Sequence, residues 1–192
     1  MSVTGFVHLQ CQSEYSVKNS LIRVSKLIES VKEVGMSSVA LTDDMSLFSA
    51  VKFYQKATQE GIKPIIGSKL SVVFEFGIYE VLLLCQNHKG YLNLSELISL
   101  AYLGEQGISI ATITEDQLVS HNEGLIMIAP PSTSDISKIL LSSKLESAEE
   151  KAKSWRSLFN DRYYMAVQRT DRQFDENLLN QTIELGLKLN IP

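Results

Sequence analysis

Two glutamines stand where a strand could hold a pair of metal ligands. The stretch FVHLQCQSE at residues 6–14 begins as an apolar strand and then places Gln10 and Gln12 two positions apart. Side chains at this spacing point to the same side of a strand. Imidazole or carboxylate groups there would bind a divalent cation, whereas a neutral amide is a poor ligand for most transition metals. The sequence therefore raises the question of why both positions are glutamine.

Charged and polar side chains also follow the other predicted strands. Asp43 and Asp44 follow the second strand, and Lys69 lies within the third. In α/β folds, ligands bind beyond the carboxyl ends of parallel strands, so these residues are expected to share one basin. The other residues expected to line this basin are Gln10, Gln12, Glu14, Gly67, Ser68, Pro130, Pro131, Ser132, Arg169 and Thr170. The predicted basin contains carboxylates, cations and hydroxyls but no histidine.

Two functions of these charged groups stay open. The cations and hydroxyls are suited to holding a phosphate, a pyrophosphate or a nucleotide without turnover. The residues available for such an anion are Lys69, Arg169, Ser132 and Thr133. Alternatively, the cations form ion pairs with the carboxylates of the basin, which is the interpretation that we favour. These carboxylates belong to Asp43, Asp44 and Glu14. An aspartate pair ahead of a helix is also typical of a helix N-cap.

Short catalytic motifs are missing from the sequence. It contains no GxSxG, HExxH, Walker A or dinucleotide-binding pattern. His8 lies on an otherwise apolar predicted strand and is expected to be a hydrogen-bonded core residue, and His88 and His121 lie in predicted loops. Motifs alone therefore give little support for catalysis.

Strands and helices alternate along the predicted structure. The strands are expected at residues 5–11, 37–43, 63–74, 79–86, 124–129 and 163–169, with 79–86 as the hairpin partner of 63–74. The helices are expected at residues 21–34, 46–60, 90–103, 134–142, 147–159 and 174–189. Thr114 and Gln117 form a capping box for a short helix to about residue 121, and Ser147 and Glu150 form one for the helix at 147–159.

This order of elements is typical of an α/β fold with a mainly parallel sheet and helices packed outside it. An open doubly wound sheet and a barrel both fit the pattern. The segment at 185–192 resembles a helix that leads into another strand. We therefore expect a fold that is truncated before its last strands.

Composition limits the class of protein. The net charge is −4 and the sequence pI is about 5.4, so the chain as a whole has no electrostatic attraction for nucleic acid. The two cysteines form no metal-binding motif, and the N-terminus does not resemble a signal peptide. These features predict a cytoplasmic protein with reduced thiols.

Four segments resemble, in order and spacing, the N-terminal PHP (polymerase and histidinol phosphatase) domain of bacterial replicative DNA polymerase III alpha subunits. The segments read FVHLQCQSEYS, MSSVALTDDMSLFSAVKFYQKATQEGIKPIIGSKL, NHKGYLNLSELISLAYL and DRYYMAVQRT. The resemblance covers residues 1–192 as one domain and implies a distorted (β/α)7 barrel with a cleft at the carboxyl ends of its strands. Family members with an intact cleft bind a cluster of metal ions there.

The resemblance also assigns the ligand positions of that cluster to residues of this chain. A His-x-His pair corresponds to Gln10 and Gln12. The remaining aspartate, histidine, glutamate, cysteine and histidine correspond in order to Asn19, Asp44, Lys69, Pro131 and Thr170. Only Asp44 keeps a good ligand for a hard cation, because amides, a proline and an ammonium do not supply the charge that a metal cluster needs. The resemblance therefore implies a cleft that holds no metal ion.

Lys69 is expected to replace the lost cation electrostatically, because carboxylates that face each other in a partly dry cleft are costly without one. The implied function is a non-catalytic scaffold that docks the proofreading exonuclease (epsilon) subunit during chromosomal DNA replication. This region needs no cofactor, and the parent polymerase uses magnesium and contacts primer-template DNA through domains further downstream. The alternative is a residual metal-dependent phosphoesterase or 3′–5′ exonuclease, which requires water activated by metal ions.

Overall fold

The computed structural model of the protein describes residues 5–74, 77–104, 110–170 and 175–192. Strands and helices alternate, so the predicted α/β class is confirmed. In chain order the elements are α1 (Val24–Glu33), β1 (Ser38–Asp44), α2 (Ala50–Gln59), β2 (Lys63–Phe74), β3 (Gly77–Cys85), α3 (His88–Leu103), β4 (Ile113–Thr114), α4 (Glu115–Ser120), β5 (Leu125–Ala129), α5 (Asp135–Leu141), α6 (Leu145–Phe159), β6 (Tyr163–Met165) and α7 (Asp175–Leu189). A 3₁₀ turn at Asn160–Arg162 joins α6 to β6.

The strands form one six-stranded sheet in the order β1-β2-β3-β5-β6, with β4 beside β2. The β1–β2, β2–β4 and β5–β6 pairs are parallel, and β3 is antiparallel to both β2 and β5. Only β3 therefore runs against the rest of the sheet, which confirms a mainly parallel sheet with the predicted hairpin. Within the described ranges, no pairing joins β1 to β6, so hydrogen bonds do not close the sheet into a barrel.

The outer face of the sheet is covered by helices. Alternate residues of β1 pack against α1 and α2 in a cluster that includes Val39, Leu41 and Phe53. A larger cluster joins β2, β3 and β5 to α3, α5, α6 and α7. Each fully buried aliphatic or aromatic side chain contributes about 1.5–3 kcal/mol, so these two layers account for most of the driving force for folding.

The inner face of the sheet carries a smaller apolar cluster. Ala40, Leu82, Leu84 and Ile128 are buried there, and Ile65 packs against them. These residues alternate with the outer-face positions, as the two-residue period of a strand requires. The inner face is therefore apolar at one end of the strands, and its polar side chains lie at the other end.

The helix termini follow local sequence signals. The Asn87 side chain accepts a hydrogen bond from the Gly90 N–H at the start of α3. Both hydrogen bonds of the predicted capping box between Thr114 and Gln117 are present at α4. The capping box predicted at Ser147 is wrong, because α6 already begins at Leu145 after an N-cap residue that makes no side-chain cap hydrogen bond.

The N-terminal segment differs from its prediction. Residues 5–11 do not form a regular strand; the segment instead runs beside β1, where the His8 carbonyl accepts from Ala40 N and the Cys11 carbonyl from Thr42 N. The two acceptors are three residues apart in the N-terminal segment, whereas the two donors are two residues apart in β1. This mismatch in spacing prevents a regular hydrogen-bond ladder. The His8 ring is exposed and packs edge-on against Phe6, so the prediction of a core histidine is wrong. None of the helices in the described parts of the chain has the length and apolar character needed to cross a bilayer.

Candidate functional site

The polar end of the inner face brings three charged side chains together. Asp44 and Lys69 are register partners on the parallel strands β1 and β2. Glu80 lies on β3, two residues from Leu82, the register partner of Lys69. The pleat places all three on the same face as the inner apolar cluster. The site therefore begins where that cluster ends.

Lys69 joins the two carboxylates. Its Nζ lies 3.0 Å from Asp44 Oδ1 and 3.0 Å from Glu80 Oε1, and its side chain is only 14% exposed. Burial by itself lowers the pKa of Lys69, but the hydrogen bonds and negative charges of Asp44 and Glu80 outweigh it and raise the pKa above the ordinary 10.5. The ammonium therefore stays charged at neutral pH. Below, Asp44, Lys69 and Glu80 are called the ion triad.

Two amides complete the surroundings of Asp44. Gln12 Nε2 donates to Asp44 Oδ1 at 2.7 Å, and Asn19 Nδ2 donates to Asp44 Oδ2. Both amides therefore present their N–H groups to the carboxylate and act as hydrogen-bond donors there. The backbone N–H of Asp44 also donates to Ser16 Oγ at 3.0 Å. These contacts fasten the loop at 12–20 to the end of β1.

The neighbouring Asp43 faces the other side of β1 and is only 1% exposed. Its carboxylate accepts four hydrogen bonds, from Ser13 N at 2.6 Å, from Ser13 Oγ and Ser16 Oγ at 2.8 Å each, and from Ser49 Oγ at 2.5 Å. A buried carboxylate is tolerated when its lone pairs are filled in this way. Asp43 thus links the loop at 12–20, β1 and the start of α2, although it pairs with no cation among the described residues.

Two charged residues predicted for the basin have other partners. Glu14 accepts a hydrogen bond from Val24 N at the start of α1 and lies 3.2 Å from Lys52 Nζ. Arg169 forms an exposed ion pair with Glu176 of α7 at 3.1 Å. Glu14 and Arg169 thus have partners outside the ion triad, and no contact between described residues joins either of them to Lys69 or Asp44.

The remaining predicted positions surround the cleft less closely. Gln10 and Thr170 are exposed, and Pro131 and Ser132 line a small crevice with residues 166–168 and α7. Thr133 contributes its carbonyl, which accepts from Glu80 N at 3.0 Å. Neither Ser132 nor Thr133 makes a described contact with Lys69 or Arg169, so the structure does not bring the predicted anion contacts together.

The sequence prediction missed the second partner of Lys69. Glu80 is the second residue of the hairpin segment YEVLLLC, between Tyr79 and the apolar run that follows. A single acidic residue in such a strand is the available signal, because it must face either solvent or a cation. The hydroxyl groups around Asp43 were missed as well, since serines in loops carry no distinctive pattern.

The comparisons with known proteins identify the family. Residues 8–170 match the PHP domain family, so this chain belongs to the PHP domain family. The chain is 36% identical over 191 residues to DNA polymerase III subunit alpha of Pseudomonas fluorescens and 33% identical over 195 residues to that of Escherichia coli K12. These alignments cover 98% and 100% of this chain but only 16% and 17% of the relatives.

Solved structures support the fold. An amidohydrolase from Chromobacterium violaceum, with bound sulfate and no metal, matches with a TM-score of 0.64 over 96% of this chain and 84% of its own chain. A candidate metal-dependent phosphoesterase from Bifidobacterium adolescentis matches with the same TM-score and coverage. Both are 9% identical to this chain, so the likeness concerns the fold alone. It confirms the predicted PHP-type architecture, which is barrel-like although its sheet is open.

The residues of the cleft do not fit the metal cluster that the family implies. Asp44 is the only carboxylate at the assigned positions, and an ammonium and two amide N–H groups already occupy its oxygens. Within the described ranges, no three His, Cys, Asp or Glu side chains are grouped as a metal site would require. A divalent cation beside Asp44 would also repel the adjacent Lys69.

Proposed function

We propose that the 192 residues form the PHP domain of a bacterial DNA polymerase III alpha subunit, and that this domain is a non-catalytic scaffold in chromosomal DNA replication. The alpha-subunit relatives align along almost the whole chain, which supports this assignment. On this proposal, nucleotide transfer, its magnesium ions and the contacts with primer-template DNA belong to other parts of the alpha subunit. The scaffold works in the cytoplasm and docks the proofreading exonuclease (epsilon) subunit.

The ion triad is the observation that carries the non-catalytic part of the proposal. A lysine lies 3.0 Å from each of two carboxylates at the end of the sheet where a hydrolytic member of the family would bind its metal ions. An ammonium neutralises the carboxylates but cannot activate water as a Lewis acid does. The positive charge that the fold needs at this point is thus supplied by the chain itself.

The cleft has a structural task in this arrangement. Gln12, Asn19 and Lys69 all bind Asp44, and three serine hydroxyls bind the adjacent Asp43. The paired aspartates therefore hold the loop at 12–20 against β1 and α2. If the cleft has no catalytic task, selection can act on these contacts for the rigidity of the domain alone. A rigid domain is suited to presenting a fixed surface to a partner.

Docking of the exonuclease subunit is tested by titrating it into this chain and following the complex by sedimentation. We expect a complex at micromolar concentrations, and an unrelated exonuclease of similar size serves as the control. Gln12→Ala and Asn19→Ala change the cleft without removing its ammonium and should leave the affinity unchanged if the partner binds the outer surface. Absence of a complex at these concentrations would contradict the docking role.

A residual metal-dependent phosphoesterase or 3′–5′ exonuclease is the competing function. Its test is hydrolysis of bis-p-nitrophenyl phosphate and of a single-stranded oligonucleotide with added manganese or zinc. We expect no release above that of the buffer, because Asp44 is bound to Lys69. Hydrolysis that EDTA abolishes and that co-elutes with the protein would replace the scaffold proposal with an enzymatic one.

A further inference from the structure

A groove separate from the ion triad lies between the start of β3 and helices α5 and α6. Its volume is about 620 Å³, which falls in the range of small-molecule sites. On α5 it is lined by Asp135, Lys138, Ile139 and Ser142, at the i, i+3, i+4 and i+7 positions of one helix face. The corresponding positions of α6 are Ser147, Glu150, Lys151 and Ser154. Two helix faces therefore form the walls of what is called below the α5–α6 groove.

The floor of the α5–α6 groove is aromatic. Phe74 and Tyr79 line it and pack edge to face, with ring centroids 6.0 Å apart. Lys151 Nζ lies 4.7 Å from the centroid of the Phe74 ring and 4.7 Å from that of Trp155 behind it. A flat apolar ligand would meet the half-buried Phe74 ring and the methylene groups of Lys151, while the Tyr79 ring is only 2% exposed and supports Phe74.

The polar groups of the floor form hydrogen bonds and ion pairs with each other. Glu115 accepts a hydrogen bond from Tyr79 at 2.7 Å and pairs with Lys151 at 2.6 Å. Asp135, which is 2% exposed, accepts a hydrogen bond from the Trp155 indole at 2.6 Å. Burial raises the pKa of the Asp135 carboxyl, which the hydrogen bonds only partly oppose. The deep carboxyl groups are thus already paired, and they give the floor a fixed shape.

The charges at the mouth favour an anion. Among the described residues, its lining includes Lys138, Lys144 and Glu150; Lys144 has an interaction of its own, so Lys138 is the cation considered for a ligand. The Lys138 ammonium donates to the carbonyl oxygen of Ile78, and none of the ion pairs between described residues includes Lys138. An ammonium has three donors, so it can bind an incoming anion without losing that contact. The exposed hydroxyl of Ser147 adds a further donor at the rim, whereas that of Ser142 already donates to the Lys138 carbonyl at 2.9 Å.

We propose that the α5–α6 groove binds a ligand with a flat aromatic body and one anionic group, with the body against the Phe74 ring and the anion at Lys138. Aromatic carboxylates and nucleoside monophosphates both have this chemistry. This proposal does not depend on the docking of an exonuclease, because it rests only on contacts within the α5–α6 groove.

The test uses two pairs of probes that differ only in the anionic group. The first pair is 2-naphthoate and 2-naphthalenemethanol, and the second is deoxyadenosine monophosphate and deoxyadenosine. Each is titrated into the 192-residue chain and followed by amide chemical-shift changes in NMR spectra. We expect shifts at groove residues and at least about threefold tighter binding of the anion within a pair, as a partly exposed charge contact provides.

Two matched variants decide the role of the lysine. Lys138→Gln should bring the affinity of the anion down to that of its neutral analogue. Lys153→Gln removes an ammonium from α6 outside the groove, where Lys153 pairs with Glu149 at 2.8 Å, and should change nothing.

Each outcome of the titrations has one meaning. A preference for the anion in either pair supports the proposal, and the pair that shows it identifies the ligand as an aromatic carboxylate or as a nucleotide. Equal binding of anion and neutral analogue, equal effects of the two lysine variants, or no shifts at groove residues would overturn it.

Discussion

The Lys69 ammonium lies 3.0 Å from the Asp44 carboxylate, on two strands that pair these residues directly in register. Because Lys69 also binds Glu80, its removal would leave two carboxylates in a partly buried site without a cation. Lys69→Met keeps the volume and removes the charge. We expect it to lower the free energy of unfolding by about 1–3 kcal/mol, less than a fully buried pair because both carboxylates keep some solvent.

The measurement is urea denaturation followed by circular dichroism. Lys52→Met is the matched control, since Lys52 pairs with Glu14 at 3.2 Å and is 51% exposed, and it should cost no more than about 0.5 kcal/mol. If Lys69→Met and Lys52→Met have the same stability as the parent chain, the ion triad does not contribute to folding.

The same lysine predicts a dependence of stability on alkaline pH. The carboxylates outweigh burial and raise the folded pKa of Lys69 above 10.5. A raised pKa of a cationic group means that its stabilising contribution is complete below the unfolded value and is lost as pH rises through the folded value. The stability difference between the parent chain and Lys69→Met should therefore stay constant up to about pH 10 and shrink above it.

Comparison of the two chains at each pH removes the titration of the other lysines and of the tyrosines, which both chains share. Denaturation midpoints at intervals from about pH 8 to about pH 11.5 cover the window. A difference that already declines between about pH 8 and about pH 9 would show that the ammonium is not held by the two carboxylates.

Asp43 gives a second prediction about the cleft. Its carboxylate accepts four hydrogen bonds while only 1% exposed. Asp43→Asn replaces one acceptor oxygen with an N–H donor that faces serine donors, so buried polar groups lose their partners. We expect a loss of about 2–4 kcal/mol in the free energy of unfolding.

Asp161→Asn is the control for Asp43→Asn, because Asp161 is exposed in the 3₁₀ turn and the same substitution there should be nearly neutral. Thermal denaturation with hydrogen exchange of the loop at 12–20 distinguishes local from global effects. Undiminished protection of that loop in Asp43→Asn would contradict the role of Asp43 in holding it.

The limits and register of the strands could be predicted from the sequence more fully than the contacts between individual side chains. The limits of β2 at Lys63–Phe74 were predicted correctly, because β-branched residues and the flanking turns mark them locally. The position of Lys69 beside Asp44 also follows from strand order and the two-residue period. The hydroxyls of Ser13 and Ser16 around Asp43 could not be predicted, since these residues lie 30 and 27 positions from it and reach it only when the loop folds back. Glu80 was missed because its contact with Lys69 depends on the register of the β2–β3 hairpin. Arg169 pairs with Glu176 on α7, a choice that only the path of the chain after β6 determines.

The last prediction concerns Gly67 of β2, where the neighbouring strand leaves no room for a side chain. A Cβ at this position would lie 2.4 Å from the Leu83 carbonyl oxygen and 2.7 Å from Leu84 Cδ2, and backbone atoms of a paired strand cannot move aside cheaply. Gly67→Ala should therefore separate β2 from β3 and lower the free energy of unfolding by about 2–3 kcal/mol. Because Lys69 lies two residues further along β2, the same change should also loosen its contact with Glu80, on β3.

Gly104→Ala is the control, since a Cβ there meets only ordinary contacts, at 3.5 Å or more. Urea denaturation of both variants provides the measurement, and equal stability of Gly67→Ala and Gly104→Ala would show that the β2–β3 pair is less tightly packed than the structure has it.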